Sequence, residues 1–243
     1  MTLPTEVQAI LSTLNQAGHE AYAVGGCVRD LLLKRIPKDW DVATSAQPAE
    51  IQKLFSRNFY ANQFGTVMVL VPPFDKGGRG GISEVEVTTY RIDAEYTDRR
   101  HPDHVTFTPK LEEDLARRDF TINAIALDEA KVIDPFAGQA DLEKRLIRAV
   151  GKPEERFAED ALRLLRAVRI SAQLNFTIEP ATLEAIKKNH QLIRAVSPER
   201  VRDELKKIVL SDAPEKGFNL LADTGLLQEI LPELAEGIGV EQN

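Results

Sequence analysis

An acidic pair that follows a glycine turn and an arginine is the part of this 243-residue chain whose chemistry is easiest to predict. The stretch "GGCVRDLLLKRIPKDWDVAT" begins at Gly25 and Gly26, continues through Arg29, and reaches Asp39 and Asp41. Residues two apart on a strand point to the same face, so a strand here would make both carboxylates converge. Adjacent like charges are costly unless a cation lies between them, and Mg²⁺ prefers oxygen ligands of this kind. An edge strand with two solvated acids is the alternative for the Asp-x-Asp pattern alone.

The glycine pair and Arg29 favour a phosphate-binding interpretation of the same stretch. Glycine lets the backbone approach a ligand closely, and the N–H groups of such a turn can meet phosphate oxygens. Arg29, in the first turn of the next helix, could donate two hydrogen bonds to a phosphate. Neither the P-loop lysine signature nor the six-position dinucleotide fingerprint occurs in the sequence. A tight turn with a surface arginine is the structural alternative.

The elements around this stretch alternate between helix and strand up to about residue 140. Residues 4–18 predict an amphipathic helix, and "AYAVGG" predicts a buried strand that ends in the glycine turn. "DWDVAT", "GTVMVLVPP" and "ISEVEVTTYR" also have strand patterns, and "PPFDKGGRGG" has the glycine density of a hairpin loop. After residue 140 five segments in a row have helical patterns, beginning with "DLEKRLIRAV" and "AEDALRLLRAVRISAQL". A mixed α/β module is therefore followed by a helical one.

Composition and charge exclude several classes of protein. No apolar run is long enough to span a bilayer, and the N-terminal residues have no signal-peptide pattern. The single cysteine excludes an internal disulfide, which fits a cytoplasmic setting, and the four histidines lack the spacing of a zinc site. The net charge is −7, but residues 141–210 hold 15 basic and 11 acidic residues. A polyanion could bind that region; a set of solvated helix faces is the alternative.

Five ordered segments resemble the motifs of the class II tRNA nucleotidyltransferase and poly(A) polymerase family. "GGCVRD" with "KDWDVAT" resembles motif A, and "RRDFTINAIALD" resembles motif B. "DPFAGQADLEKRLIRAVG", "EDALRLLRAVRISAQL" and "SPERVRDELKKIVLS" resemble motifs C, D and E. The resemblance implies an α+β fold, in which a polymerase-beta-like nucleotidyltransferase head with a mixed sheet precedes an all-helical neck. The implied boundaries are 1–140 for the head, 141–211 for the neck and 212–243 for the start of a helical body that is truncated here.

The resemblance also implies an activity and a set of site residues. Members transfer a nucleotide from CTP or ATP to the 3′ end of RNA, usually tRNA, and release pyrophosphate. Metal ligation by Asp39 and Asp41 is implied for Mg²⁺, with Glu86 as a third carboxylate. For Glu86 the alternative is an alternating strand with one acid on its solvated face. The residues implied to bind the nucleotide are Gly26, Arg29, Arg118, Asp119, Asn123, Asp160, Arg163, Arg166 and Arg169. For Asp119 the structural alternative is a helix-start aspartate that caps its own backbone.

Asp160 and Arg163 are three residues apart, so a continuous helix would place them on one face. Cytosine and adenine both present an amino donor beside a ring-nitrogen acceptor, which matches a carboxylate beside a guanidinium. Uracil and guanine present the reverse order, and each unpaired buried group would cost roughly 1–3 kcal/mol. The pair could therefore select C and A without a template. A simple ion pair on an exposed helix is the alternative.

Within the family, the sequence favours full CCA addition to tRNA. "FGTV" stands where poly(A) polymerases of this class usually carry a basic run, and residues 90–107 resemble the flexible loop of enzymes that add A after CC. Addition of A alone and poly(A) synthesis remain alternatives within the family. A non-catalytic RNA- or nucleotide-binding module is the alternative outside enzymes, because members generally continue beyond this length.

Overall fold

The chain divides into two compact units. A computed structural model of the protein describes residues 2–62, 64–71, 84–93, 105–128 and 131–239. Unit 1 comprises Met1–Ala94 and His104–Leu142, and unit 2 comprises Glu95–Asp103 and Glu143–Asn243. The three-part division inferred from the sequence, with breaks after residues 140 and 211, stays a prediction.

Unit 1 is built on a seven-stranded mixed sheet, as the α+β interpretation predicts. Its strands are β1 (Ala21–Val24), β2 (Asp41–Thr44), β3 (Asn58–Asn62), β4 (Thr66–Leu70), β5 (Glu84–Thr89), β8 (Ala126–Leu127) and β9 (Val132–Ile133). The spatial order is β3-β4-β5-β2-β1-β8-β9. The β2–β5 pair is parallel and the other neighbours are antiparallel. A separate antiparallel pair consists of β6 (Arg91–Asp93) and β7 (Val105–Phe107).

Five short helices accompany this sheet: α1 (Thr5–Gln16), α2 (Gly26–Leu32), α3 (Pro48–Leu54), α4 (Leu111–Ala116) and α5 (Gly138–Glu143). The apolar face predicted for α1 is confirmed, because Val7, Ile10, Leu11 and Leu14 are all buried. A 3₁₀ turn at Thr121–Asn123 lies in the motif B segment. The Thr121 hydroxyl donates to the buried Asp141 carboxylate at 2.6 Å, which joins the motif B segment to α5 of motif C.

Unit 2 is mainly helical. Its helices are α6 (Pro153–Glu159), α7 (Leu162–Leu174), α8 (Pro180–Asn189), α9 (Pro198–Val209), α10 (Pro214–Asp223), α11 (Leu226–Ile230) and α12 (Pro232–Ala235), with a 3₁₀ segment at His190–Ala195. Most begin at a proline in the first turn, where the missing N–H has no helical partner to lose. None of the helices in the described ranges has the length and apolarity to cross a membrane.

The helical interpretation of "DLEKRLIRAV" is wrong for its second half. Helix α5 ends at Glu143, Arg145 has a positive φ of 53°, and Leu146–Ile147 form strand β10. This strand pairs in parallel with β11 (Thr177–Ile178), so unit 2 contains a small two-stranded sheet. Residues 146–147 are a strand because they pair with β11, some thirty residues further along the chain. Helix propensity, which is a local property, gives no information about such a partner.

Two predicted loop segments cannot be compared with the structure. The glycine-rich stretch "PPFDKGGRGG" lies outside the described residues. The same holds for residues 94–104, the central part of the segment that resembles a flexible loop. The two ends of that segment form the β6–β7 pair.

Candidate functional site

Two carboxylates lie side by side on the parallel strands of unit 1. Asp41 is the first residue of β2, and its Cα partner in β5 is Glu86. The Glu86 N–H donates to the carbonyl oxygen of Trp40 at 3.1 Å, which fixes the register of the two strands here. Val85 and Val87 of β5 point into the core, and Glu86 points out of it. The sheet therefore holds Asp41 and Glu86 as cross-strand neighbours.

Asp39 does not belong to the strand, so the expectation of two carboxylates on one strand face is wrong in its geometry. Strand β2 begins at Asp41, and Asp39 lies exposed in a bend that precedes it. Trp40, between them, is buried and anchors the bend to the core. The Asp39 charge nevertheless acts on the same region, because it contributes to the electrostatics of Glu86.

The pKa of Glu86 is raised by its surroundings. Partial burial is the largest cause, and the negative charges of Asp41 and Asp39 add to it. The sheet thus brings Glu86 close to the negative charges of Asp41 and Asp39. A cation at this position would relieve the repulsion.

The carboxylates fit a Mg²⁺ ion that keeps part of its water shell. Over the described part of the chain, no three His, Cys, Asp or Glu side chains are grouped closely enough to hold a metal by themselves. Mg²⁺ is usually bound through one or two carboxylates together with waters and substrate phosphates. The oxygen donors of Asp41 and Glu86, with Asp39 nearby, match that mode of binding.

Gly25 lies between the acidic pair and Arg118. Its backbone angles, φ 81° and ψ −138°, are accessible mainly to glycine. A Cβ at this position would lie 2.8 Å from Arg118 Nη1 and 3.6 Å from Asp41 Oδ2. The Gly25 N–H donates to the carbonyl oxygen of Ile125 at 3.3 Å, so within this turn the expected contact with a phosphate stays a prediction for the Gly26 N–H. Gly25 instead allows Arg118 and Asp41 to approach the same stretch of backbone.

A chain of hydrogen bonds joins three of the predicted nucleotide-binding residues. Arg29 Nη1 donates to Asn123 Oδ1 at 2.9 Å, and Asn123 Nδ2 donates to Asp119 Oδ1 at 3.0 Å. The Nε and Nη2 atoms of Arg29 both donate to Asp30 Oδ1. Asp119 Oδ1 also accepts the N–H of Phe120, the residue that precedes the 3₁₀ turn, but Asp119 does not occupy the N-cap position of that turn. Motifs A and B are therefore connected through Arg29, Asn123 and Asp119. A Cβ at Gly26, the first residue of α2, would lie 3.6 Å from Arg29 Nη2, an ordinary van der Waals distance.

Arg118 is held by a buried aspartate that the sequence analysis missed. Asp114 is fully buried and accepts from Arg118 Nη2 at 3.4 Å and from Arg117 Nη2 at 2.7 Å. Burial acts to raise the pKa of Asp114, but Arg117 and Arg118 outweigh it and lower that pKa. Asp114 precedes these arginines by three and four residues, a spacing that signals an ion pair within one helical turn.

The single cysteine of the sequence lies directly behind the acidic pair. Cys27 is buried in α2, with its Sγ 3.2 Å from the carbonyl oxygen of Val24 and 3.9 Å from that of Asp41. Burial is the main cause that raises the pKa of the thiol from 9.0 to about 11. Because the folded state has the higher pKa, the thiol's contribution to stability is complete below about pH 9 and is lost as the pH rises through about 11.

We therefore expect the free energy of unfolding to fall in alkaline solution because of Cys27. The difference between 9.0 and about 11 corresponds to roughly 3 kcal/mol, at roughly 1.4 kcal/mol per pH unit. Urea denaturation at pH 8 and at pH 11 would measure the loss. The Cys27→Ala variant, which has no thiol to ionise, should lose less stability over the same range. Equal losses in the two proteins would contradict the prediction.

In unit 2, Asp160 precedes the motif D helix. Helix α6 ends at Glu159 and α7 begins at Leu162, so the continuous helix predicted through Asp160 is wrong. Asp160 Oδ1 accepts the N–H of Leu162 at 3.1 Å, and the Asp160 carbonyl oxygen accepts the N–H of Arg163 at 3.0 Å. Aspartate favours this position because it satisfies N–H groups that have no partner in the first helical turn.

Arg163 is the buried arginine of α7, with 8% of its surface exposed. Its Nη1 donates to Glu159 Oε2 at 2.8 Å and to the carbonyl oxygen of Arg156 at 3.2 Å. Arg163 therefore does not lie on an exposed helix face, as the alternative of a simple surface ion pair would require. Arg166, one turn further along, is half-buried.

Arg169 and Asp160 both contact helix α9. Arg169 Nε lies 2.6 Å from Glu204 Oε2, and Glu204 is buried with 3% of its surface exposed. Asp160 Oδ2 accepts from Arg200 Nη2 at 3.3 Å. Arg200 and Glu204 are four residues apart on α9 and so share a face. Arg200 and Glu204 were not predicted, because contacts between segments far apart in the chain produce no regular residue spacing that could be recognised in the sequence.

Two family models match the chain. One, described as "Poly A polymerase head domain", matches residues 21–148, and a second, "Probable RNA and SrmB- binding site of polymerase A", matches residues 175–238. The first match covers the sheet, the acidic pair and the Arg29–Asn123–Asp119 chain of unit 1. The second lies wholly within unit 2.

Curated relatives with high identity are CCA-adding enzymes. The chain is 50% identical over 228 residues to that of Lactobacillus johnsonii, covering 93% of this chain and 55% of the relative. It is 49% identical over 239 residues to that of Levilactobacillus brevis, covering 96% of this chain and 58% of the relative. The chain thus spans little more than half the length of these relatives.

Solved structures of related enzymes share the fold. The CCA-adding enzyme of Bacillus stearothermophilus in complex with CTP is 43% identical, with a TM-score of 0.82 over 93% of this chain and 53% of that one. A tRNA nucleotidyltransferase complexed with a primer tRNA and an incoming ATP analogue is 28% identical, with a TM-score of 0.74 over 96% of this chain and 64% of that one. Since the head-domain model alone matches more than half of the 243 residues, the chain belongs to the poly(A) polymerase head-domain family.

Proposed function

We propose that this chain forms the catalytic and base-selecting part of a tRNA nucleotidyltransferase. It adds C and A, taken from CTP and ATP, to the 3′ end of tRNA without a nucleic-acid template and releases pyrophosphate. The observation that carries the proposal is the pairing of Asp41 with Glu86 on adjacent parallel strands, beside the Gly25 turn and Arg118. The high identity to CCA-adding enzymes supports the same reaction.

The acidic pair is proposed to hold the metal of the reaction. Asp41 and Glu86, with Asp39 nearby, would bind Mg²⁺ through carboxylate oxygens. When bound, the ion supplies neutralisation of the triphosphate and activation of the terminal ribose hydroxyl. The repulsion that raises the pKa of Glu86 favours binding of a divalent cation at this position.

The basic and amide groups of motifs A and B are proposed to bind the sugar and phosphates. The Arg29 guanidinium is held by Asp30 and Asn123, and the Arg118 guanidinium is held by Asp114. An anchored guanidinium loses less side-chain entropy when it binds a phosphate, so less of the binding energy is spent on ordering it. Asp119 and Asn123 form a hydrogen-bonded pair, and we propose that this pair orients a ribose hydroxyl.

Asp160 and Arg163 are proposed to select the base, and Arg166 and Arg169 to assist them. Asp160 keeps lone pairs beyond those used by Leu162 and Arg200, so it can accept from the amino group of cytosine or adenine. The ion pair with Glu159 orients the Arg163 guanidinium, which would donate to the ring nitrogen of the base. Arg169 is already committed to Glu204, so its contribution is proposed to act through the position of α7.

A transfer assay tests the function directly. The purified protein is incubated with tRNA that lacks its 3′-terminal CCA, Mg²⁺ and labelled CTP, ATP or both. We expect C to be added with CTP alone and A only when both nucleotides are present. Addition of A solely to tRNA that ends in CC would indicate an A-adding enzyme, and a long A tail would indicate a poly(A) polymerase. Nucleotide binding without incorporation would favour the non-catalytic alternative. The reaction is proposed to take place in the cytoplasm, which suits a chain whose single cysteine is a free thiol.

The Asp160→Asn variant should relax selection against UTP. Asparagine presents a donor as well as an acceptor, so it can pair with the carbonyl of uracil, which repels the aspartate. We expect the ratio of kcat/KM for CTP over UTP to fall about ten- to a hundredfold, the value of one unpaired buried group. The matched control is Asp203→Asn, an exposed aspartate on α9. An unchanged ratio in Asp160→Asn would remove this residue from base selection.

A further inference from the structure

Helix α9 supports the motif D segment through two residues on one face. Arg200 contacts Asp160, which lies just before α7, and Glu204 contacts Arg169, in the second half of α7. The Glu204 carboxylate is buried, and its other oxygen accepts from Lys207 at 3.2 Å. A buried ion pair of this kind fixes the register between two helices, because breaking it leaves an uncompensated charge. Arg200 is therefore carried on a helix whose position against α7 is well defined.

The Arg200 side chain is committed to Asp160. Its Nη2 lies 3.3 Å from Asp160 Oδ2, and the two side chains are only 25% and 17% exposed. Among the described residues, no acceptor lies within hydrogen-bond reach of the buried Arg200 Nη1. The guanidinium is thus partly desolvated, and Asp160 is the negative charge that compensates it.

Both oxygens of the Asp160 carboxylate are held from different elements. The backbone N–H of Leu162 donates to Oδ1, and Arg200 donates to Oδ2. Two donors on opposite oxygens fix the plane of the carboxylate. A carboxylate fixed in this way presents its remaining lone pairs in one direction.

We propose that Arg200 is the positioning residue that makes Asp160 selective for the amino group of cytosine and adenine. The inference rests on the proposed function, because it assigns a role to Asp160 in base selection. Without Arg200 the carboxylate could rotate out of the orientation in which it accepts from the amino group of the base. Arg200 then acts on nucleotide preference through Asp160 and touches no part of the substrate.

Equilibrium binding of CTP and UTP to the whole protein tests this inference independently of transfer. In Arg200→Met, which keeps the apolar stem and removes the guanidinium, we expect the CTP-over-UTP ratio of binding constants to fall about tenfold, the value of one charge-assisted hydrogen bond. Arg200→Lys, which keeps the charge, should recover most of the ratio. The matched control is Arg202→Met on the same helix, whose side chain is 73% exposed and should leave the ratio unchanged.

A double variant separates positioning from general structural support. If Arg200 acts through Asp160, adding Arg200→Met to Asp160→Asn should not change the ratio further, whereas independent effects would multiply. A structural role alone would weaken CTP and UTP binding equally and leave their ratio as in the wild type. Either an unchanged ratio in Arg200→Met or multiplied losses in the double variant would overturn the inference.

Two further outcomes are distinguishable. If Arg200→Met does not give a cooperative thermal transition, Arg200→Gln provides the same comparison with a polar side chain, and an unchanged ratio in that folded variant also overturns the inference. If the wild-type protein itself shows no preference for CTP over UTP, the proposed function fails, and the role of Arg200 fails with it. If the wild-type protein prefers CTP over UTP and the Arg200 variant keeps that preference, the positioning role is rejected and the proposed function is unaffected.

Discussion

The Asp41→Asn variant is expected to lose nucleotide transfer by about a thousandfold or more while the protein stays folded. A thousandfold loss corresponds to roughly 4 kcal/mol of transition-state stabilisation, which is within the range of a metal ion on a reacting phosphate. Asparagine has nearly the same shape as aspartate, so the core around β2 is undisturbed. Removing one of the mutually repelling charges beside Glu86 should leave the thermal stability unchanged or slightly raise it.

Single-turnover transfer with saturating CTP and Mg²⁺ measures this effect, and thermal unfolding measures the stability. The matched control is Glu84→Gln, an exposed acid on β5 two residues from Glu86. Glu84 pairs with Leu70 of β4 and lies away from Asp41 in the register. Asp41→Asn activity within about tenfold of the wild type would exclude this carboxylate as a metal ligand.

The Gly25→Ala variant is expected to lose transfer by about a hundredfold and to lose stability as well. A non-glycine residue at φ 81° and ψ −138° is strained by about 1–3 kcal/mol. The new Cβ would lie 2.8 Å from Arg118 Nη1, a separation that real Cβ atoms essentially never show. The Arg118 guanidinium must therefore move, which weakens its 3.4 Å contact with Asp114 and changes its position relative to Asp41.

A second glycine separates the backbone strain from the contact with Arg118. Gly18 also has a positive φ, 87°, but a Cβ there would meet nothing within 4 Å. Gly18→Ala should therefore lower the free energy of unfolding without lowering transfer by the folded protein. Urea denaturation and single-turnover transfer on both variants make the comparison. Equal transfer by the two variants would show that Gly25 matters only for backbone conformation.

The sequence was sufficient for features that depend on local pattern. The apolar face of α1 and the strands β1, β4 and β5 follow from periodicity, and each is found where it was predicted. The proximity of Glu86 to Asp41 followed from the family resemblance, and the parallel pairing of β2 with β5 accounts for it.

Features that depend on pairing between distant segments could not be predicted. Residues Leu146 and Ile147 leave the helical pattern because β11 pairs with them. The helix through Asp160 is interrupted because the aspartate caps α7, and its partner Arg200 lies forty residues away. Asp39 was placed on a strand by alternation alone, whereas strand β2 begins at Asp41 and Asp39 lies in the bend before it.

The position of β2 and β5 inside the sheet has a consequence for how the acidic pair fluctuates. Each of these strands has a hydrogen-bonded strand on both sides, β1 and β4 in addition to each other, so neither is an edge. Backbone amides in such strands exchange with solvent hydrogen mainly through the largest opening reactions of a domain. The distance between Asp41 and Glu86 should therefore change only when unit 1 unfolds as a whole. We expect the backbone amides of β2 and β5 next to this acidic pair to be among the slowest in unit 1 to exchange with solvent.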